Sequence, residues 1–285
     1  MSNDLENITA LNSYVTPEGK SGFFSRLFPS LTHYARLLSI VFKAGLLANK
    51  GEYTAQDWIR SSLDTVHSLE LTGARFHVEG LEHLKALNAP CVFIGNHMST
   101  LETFALPCLI QPHRAVTFVT KETLLKYPFF GKALGSRNPI VVGRVSPRED
   151  LTTVLREGAK RLEAGISVIV FPQSTRSCCF DFSEFNSMGV KLARRTGALI
   201  LPVAIKTDAW GMGRFFKDAG AIEPHREVRF RFGPPLQVEG NGRAEHEQVC
   251  AFISGALAEW GMEIVPALGP GALAETASLP PGKAE

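Results

Sequence analysis

From residue 75 onward the chain alternates between short apolar runs and longer amphipathic segments, and this rhythm restricts the fold more than any other feature. The apolar runs fall at 75–78, 91–95, 115–119, 139–142, 167–171, 199–206 and 228–232. The helix-like segments fall at 81–87, 101–110, 147–163, 186–195 and 245–260. Alternation of this kind predicts an α/β fold. The expected core is a mixed, largely parallel sheet of about seven strands covered by helices on both faces. In such sheets, active residues collect beyond the carboxyl ends of the strands.

Two helices are expected ahead of the alternating region. Ser30 or Thr32 suits the cap of a helix running to about Ala48, with Tyr34, Leu37, Leu38, Val41 and Phe42 at helical spacing. A second helix is expected over 54–69, with Thr54 as cap and Asp57 in its first turn. The resulting division is a flexible arm over 1–22, a two-helix element over 23–70, a main domain over 71–264 and a disordered Gly/Ala/Pro-rich tail over 265–285. The N-terminus is polar and acidic, unlike a signal or transit peptide. No run of about 18 apolar residues is present, so no transmembrane helix is expected.

A net charge of +2 gives no general case for nucleic-acid binding, so any anion site must be a local cluster. The five cysteines have no zinc-ligand spacing, and an odd count without a secretory signal fits free thiols in a reducing compartment.

Four blocks carry the candidate chemistry. The first is the segment 95–102, between the run 91–94 and the helix-like segment that follows. His97 and Glu102 lie five positions apart at a strand-to-helix corner. The carboxylate can fix the imidazole tautomer, and the imidazole can take a proton from a hydroxyl. Ser99-x-x-Glu102 is also a capping box, in which Glu102 folds back on the helix start. Locally, the catalytic and capping readings stand level, and they are compatible with each other.

The second block, 171–177, is a buried run ending in Phe171-Pro172 that feeds a small-residue loop with Gln173, Thr175, Arg176 and Ser177. Arg176 offers a planar fork for phosphate or carboxylate, unless Asp181 or Glu184 occupies it at the surface. The third block contains Lys121, Leu124, Pro128, Gly131 and Gly135 and leads to Arg144. Its glycines permit close backbone approach, and Lys121, Arg137 and Arg144 add charge suited to an anionic head group, unless the glycines simply mark turns between ordinary elements. The fourth is 201–206, a strand with an early proline, Pro202, that suits either an acyl-pocket wall or plain core.

In order and spacing these four blocks resemble the glycerophospholipid acyltransferases, the group that includes the bacterial 1-acylglycerol-3-phosphate acyltransferase. The family's Asn-His-x-Ser-x-x-Asp block is matched by Asn96 to Glu102, with Glu in place of Asp. Its Phe-Pro-Glu-Gly-Thr-Arg-Ser block is matched at five of seven positions by Phe171 to Ser177, with Gln173-Ser174 replacing Glu-Gly. The second family block aligns with Lys121, Leu124, Pro128, Gly131, Gly135 and Arg144, and the fourth with Pro202-Val203. The resemblance covers roughly residues 70–235.

It implies that His97 deprotonates a substrate hydroxyl, which attacks an acyl thioester carried by coenzyme A or acyl carrier protein. Glu102 is then the orienting carboxylate, and the implied transfer needs no metal and no cofactor beyond the acyl donor. Arg176, Arg144 and Lys121, with Thr175, Ser177 and Gln173, are the implied substrate-binding set. The Gln173-Ser174 departure bears on which acceptor is used. A lipid A precursor or an amino-acid-containing lyso-lipid is an alternative acceptor. A catalytically inactive lipid-binding module is an alternative of another class, and a cysteine hydrolase using Cys178 or Cys179 ranks below it. The late acyltransferases of lipid A assembly share the His-x4-Glu form but lack this Phe-Pro block.

Lipid substrates require the chain to meet a bilayer. Phe23, Phe24 and Phe28, followed by Leu37, Leu38 and Val41, are expected to dock it on the membrane surface, with Arg36 and Lys43 meeting lipid phosphates; the alternative is that this stripe packs on the second helix as ordinary core. The aromatic and cationic stretch 210–217 is a second interfacial or lid candidate. The implied location is peripheral, on the cytoplasmic face of the inner membrane. Membrane lipids, and acyl carrier protein as a donor, are the expected partners.

Overall fold

The computed structural model describes residues 12–213 and 217–266. Its elements in chain order are β1 (Tyr14–Val15), α1 (Phe23–Leu27), α2 (Pro29–Asn49), α3 (Ala55–Glu70), β2 (Phe76–Glu79), α4 (Leu81–Lys85), β3 (Val92–Gly95), α5 (Leu101–Ile110), β4 (Val116–Lys121), a 3₁₀ turn (Glu122–Lys126), α6 (Phe130–Gly135), β5 (Ile140–Val142), α7 (Pro147–Glu163), β6 (Ser167–Val170), β7 (Phe180–Asp181), α8 (Met188–Thr196), β8 (Ile200–Lys206), β9 (Val228–Phe232), α9 (Arg243–Glu259) and β10 (Ile264–Val265).

Eight strands form the main sheet in the order β1-β2-β9-β8-β3-β6-β4-β5. All pairings are parallel except β1 with β2 and β8 with β9. The central strands β3 and β6 are buried at every residue. Phe93 and Ile169 belong to one apolar cluster, with α3 and α5, while Val92, Ile94, Val168 and Val170 belong to the other, with α7, α8 and α9. The period of two in a doubly covered sheet accounts for their unbroken apolar sequence.

All seven anticipated strands form, and the eighth, β1, falls in the stretch expected to be a flexible arm. Residues 1–11 lie outside the described residues, but 12–22 are tied down. Tyr14 and Val15 pair with Val78 and His77. The Tyr14 hydroxyl donates to Glu70 Oε1 at 2.5 Å, Thr16 Oγ1 donates to the same oxygen at 2.7 Å, and Lys20 Nζ lies 2.9 Å from Glu70 Oε2. A buried carboxylate at the end of α3 needs such donors, and the arm supplies them. At the other end, Val265 pairs with Asp181 in a small two-stranded sheet, so the first residue of the expected tail is ordered. The rest of that tail, 267–285, lies outside the described residues.

The first long helix starts earlier than its expected caps. Phe28 is its N-cap residue, Pro29 opens it, and α1 precedes it. Thr54 caps α3 through a reciprocal box with Asp57, as the sequence predicts. Helix α2 packs closely on the turn before α6. A Cβ added to Gly45 would sit 2.4 Å from Phe129 Cβ and 2.8 Å from the Phe129 carbonyl oxygen. Phe129 itself has φ 59°, so this backbone cannot easily retreat. Gly45→Ala is expected to destabilise the fold by about 1–3 kcal/mol through overpacking, measured as a lowered midpoint in denaturant unfolding.

Candidate active site

Strands β3, β4, β5 and β6 run parallel, so their carboxyl ends share one edge of the sheet. His97 follows β3, Lys121 ends β4, Arg144 follows β5, and the loop 171–177 follows β6. The topology thus gathers three of the four sequence blocks along one rim.

The corner carrying His97 is fixed by its neighbours. Asn96 extends the β3–β8 ladder with its side chain: Nδ2 donates to the Ile205 carbonyl at 2.7 Å, and Oδ1 accepts from the Ile205 N–H at 2.9 Å. The His97 N–H donates to Gln173 Oε1 at 2.7 Å, and the His97 carbonyl accepts from the Ser177 N–H at 3.0 Å. The imidazole stacks on Phe171 at 4.6 Å with 9° between planes.

His97 Nδ1 lies 2.8 Å from Glu102 Oε1. Nε2 has no hydrogen-bond partner among the described residues, and the side chain stays partly accessible. Glu102 is fully buried. Besides His97, its oxygens accept from the Met98 N–H at 2.6 Å, the Ser99 N–H at 2.9 Å, Ser99 Oγ at 3.1 Å and Thr207 Oγ1 at 2.7 Å. Burial alone would raise the carboxyl pKa. The hydrogen bond and charge of His97, the Thr207 hydroxyl and the backbone reverse this and hold it below its ordinary value. An ionised carboxylate holds the proton on Nδ1 and leaves Nε2 as the acceptor.

The capping and orienting roles of Glu102 therefore coexist. Thr100 is the N-cap residue of α5, while Ser99 Oγ accepts from the Leu101 N–H at 3.0 Å, and Glu102 reaches back to the N–H groups of Met98 and Ser99.

The other anticipated residues divide. Arg176 lies near the same corner, with Nη1 on Thr100 Oγ1 and Nη2 2.7 Å from Asp218 Oδ1. Its acidic partner is Asp218, not Asp181 or Glu184. Arg144, at φ 58°, donates from Nη1 to the Ser174 carbonyl at 2.9 Å and so braces the 171–177 loop. Lys121 is exposed on the rim, Thr175 is exposed, and Ser177 Oγ accepts from the Cys179 N–H at 3.2 Å. Gln173 departs from the expected substrate-binding set. It is buried, and its side-chain oxygen is occupied by the His97 N–H, so it shapes the corner from within. Arg137 is also elsewhere, donating to the Tyr53 carbonyl beside the Tyr53 ring. Pro202 lies in the buried strand β8 opposite Ile94.

Two residues escaped the sequence reading. Thr207 immediately follows β8, at the same edge as His97, and that position was its only local signal. Asp218 has none, because it reaches Arg176 from 42 positions away across an irregular segment. No cluster of three or more His, Cys, Asp or Glu suited to a metal occurs among the described residues.

An acyltransferase family model matches residues 75–206, which include His97, Glu102 and Arg176. A 1-acyl-sn-glycerol-3-phosphate acyltransferase of Pseudomonas aeruginosa is 31% identical over 224 residues, covering 76% of this chain and 82% of that protein. A chloroplastic 1-acyl-sn-glycerol-3-phosphate acyltransferase of Brassica napus is 27% identical over 160 residues, 56% of this chain and 44% of that longer protein. The solved 1-acyl-sn-glycerophosphate acyltransferase of Thermotoga maritima shares the fold, with a TM-score of 0.62 over 84% of this chain and 97% of that one, at 19% identity. With a buried carboxylate behind an accessible histidine at the sheet edge, and relatives of this kind over most of its length, the chain belongs to the glycerophospholipid acyltransferase family and is an O-acyltransferase.

Proposed function

We propose that this acyltransferase moves a fatty acyl group from the thioester of coenzyme A or acyl carrier protein to the hydroxyl of a lysophospholipid such as 1-acylglycerol-3-phosphate. The observation that carries the reading is the His97–Glu102 pair, with Nδ1 bound and Nε2 left open. Nε2 takes the proton of the acceptor hydroxyl as its oxygen attacks the thioester carbonyl. The imidazolium that forms faces the Glu102 carboxylate, which stabilises it. Collapse of the tetrahedral adduct breaks the C–S bond, and the proton on Nε2 passes to the departing thiolate. Ester and thiol are released, and His97 returns to its starting state. Arg176, with Arg144 and Lys121 on the same rim, is proposed to meet the acceptor's phosphate.

The reading also places the enzyme peripherally on a membrane, on the cytoplasmic face. Among the described residues no helix is long and apolar enough to cross a bilayer. Helices α1 and α2 instead leave a row of large apolar side chains uncovered. Phe23 is 87% exposed and Leu38 70%, and Phe24, Leu27, Phe28, Leu31, Phe42 and Leu46 are exposed with them. Leu31, Leu38, Phe42 and Leu46 follow intervals of seven, four and four, which keeps them on one face. The expected docking set changes accordingly. Leu37 is only 9% exposed, and Val41 packs on the core with it. Both lie on the inward stripe, so the docking face is proposed to consist of Phe23, Phe24, Leu27, Phe28, Leu31, Leu38, Phe42 and Leu46. Arg36 and Lys43 are exposed and suited to lipid phosphates. Of the second interfacial candidate, Trp210 is buried against His33, Tyr34 and Phe104, and residues 214–216 lie outside the described residues.

The test is thiol release from acyl-CoA on addition of a lysophospholipid panel, with mass spectrometry of the products. His97→Ala is expected to lower kcat by about 10²–10⁴-fold, and equal slow release from both proteins would overturn the reading. Glu102→Gln should lower kcat more than it raises the acceptor KM, because its charge acts on the imidazolium of the transition state. Thr207→Val should share that pattern at smaller amplitude, with recovery in Thr207→Ser. For the membrane, a Phe23→Ser/Phe24→Ser/Leu38→Ser variant should sediment less with anionic phospholipid vesicles than wild type does. Unchanged sedimentation would remove the docking role from this face.

A further inference from the structure

Arg176, the residue proposed above to hold the acceptor's phosphate, already holds an anion. Its side chain is only 14% exposed, and both of its terminal nitrogens are engaged, one by Thr100 and the other by Asp218 Oδ1 at 2.7 Å. Two further donors converge on the same carboxylate. Thr100 Oγ1 lies 3.4 Å from Oδ1, and the Tyr127 hydroxyl donates to Oδ2 at 3.2 Å. The three come from three places on the rim: the loop after β6, the N-cap of α5 and the end of the 3₁₀ turn after β4. Planar and tetrahedral oxyanions make similar demands of such a set, namely a guanidinium fork and hydroxyls around it.

Asp218 is delivered to this place by contacts on its own segment. The Gly220 carbonyl accepts from the Tyr34 hydroxyl at 2.6 Å, and the Ile222 N–H donates to Ser30 Oγ at 3.0 Å, both on α2. The Gly211 N–H donates to the Ala221 carbonyl at 2.9 Å, closing the segment on itself. The negative charge is felt by its neighbour: the Asp218 carboxylate, followed by burial, pushes the Tyr127 phenol above its ordinary range.

We infer that Asp218 is a specificity-determining residue of the acceptor site, an internal anion that occupies the phosphate-binding face of Arg176 and disfavours phosphomonoester acceptors until it is displaced. The inference rests on Arg176 facing the acceptor. A doubly charged phosphate cannot share one guanidinium with a carboxylate at hydrogen-bond range without like-charge repulsion. A head group whose phosphate is masked by esterification, or balanced by an amine, meets less opposition. Asp218 therefore narrows the difference between lyso-lipids that Arg176 alone would separate by charge.

The experiment compares wild type with Asp218→Asn, which keeps the shape and removes the charge, and with Tyr127→Phe, which removes one anchor of the carboxylate. Calorimetric titration with glycerol 3-phosphate reads the site without requiring turnover. Asp218→Asn is expected to bind it at least about tenfold more tightly than wild type, and Tyr127→Phe should shift affinity in the same direction by less. In turnover with 1-acylglycerol-3-phosphate the change should appear in KM more than in kcat. Equal or weaker binding by Asp218→Asn, or no measurable binding by either protein, overturns the inference and leaves Asp218 as a scaffold for Arg176. Tighter binding without turnover of any lysophospholipid by either protein would uphold the inference and sink the proposed acceptor class. Normal turnover with unchanged affinity would do the reverse.

Discussion

The structure of the rim that carries the candidate site depends on one fully buried carboxylate. Glu102 touches the imidazole of His97, two backbone N–H groups at the helix entrance, the hydroxyl of Ser99 and the hydroxyl of Thr207 beyond a different strand. Such a charge is costly to hold away from water unless donors surround it. Here the donors are the parts that must be aligned: the start of α5, the β3–α5 corner and the end of β8. Satisfying the carboxylate and assembling the site are the same event, and the depressed carboxyl pKa is the electrostatic signature of that arrangement.

Much of this was legible in the sequence because it is local. The doubly covered strands announce themselves as unbroken apolar runs, and β3, β6 and β8 formed within a residue of their expected bounds. Thr54 and Asp57 sit three apart, so their capping box needs no tertiary information. His97 and Glu102 are five apart across one turn, and their pairing follows from the same economy. What could not be read depends on chain segments meeting at a distance. β1 is two residues long, and its Tyr14 hydroxyl finds Glu70 56 positions away. Helix α2 carries apolar residues on both sides, so periodicity alone could not say that Leu37 faces in while Leu38 faces out. Gln173 entered the substrate-binding set through the family resemblance of its loop, yet its side chain turns inward to the His97 N–H.

The two N-terminal helices do more than carry an exposed apolar row. α2 packs on α3 and on the turn before α6, and its Ser30 and Tyr34 hold the segment that brings Asp218 to Arg176. The face proposed to meet lipid and the cation proposed to meet the acceptor are thus joined by a short series of hydrogen bonds. On the proposed reading, acceptor recognition would draw on α2 as well as on the motif loops themselves.

Asn96 carries a different implication. Its side-chain amide makes the pair of bonds to Ile205 that a further ladder residue would otherwise make with its backbone. The zipper between β3 and β8 thus runs one tooth past the last strand residue and stops directly before His97. Because strand side chains alternate from face to face, the spacing from Val92 to His97 works as a parity count. Losing or gaining one residue there would turn the imidazole away from the rim while leaving the apolar composition of the strand almost untouched. A volume-conserving swap among the buried apolar residues here would leave the direction of the imidazole alone, whereas a change of length would not.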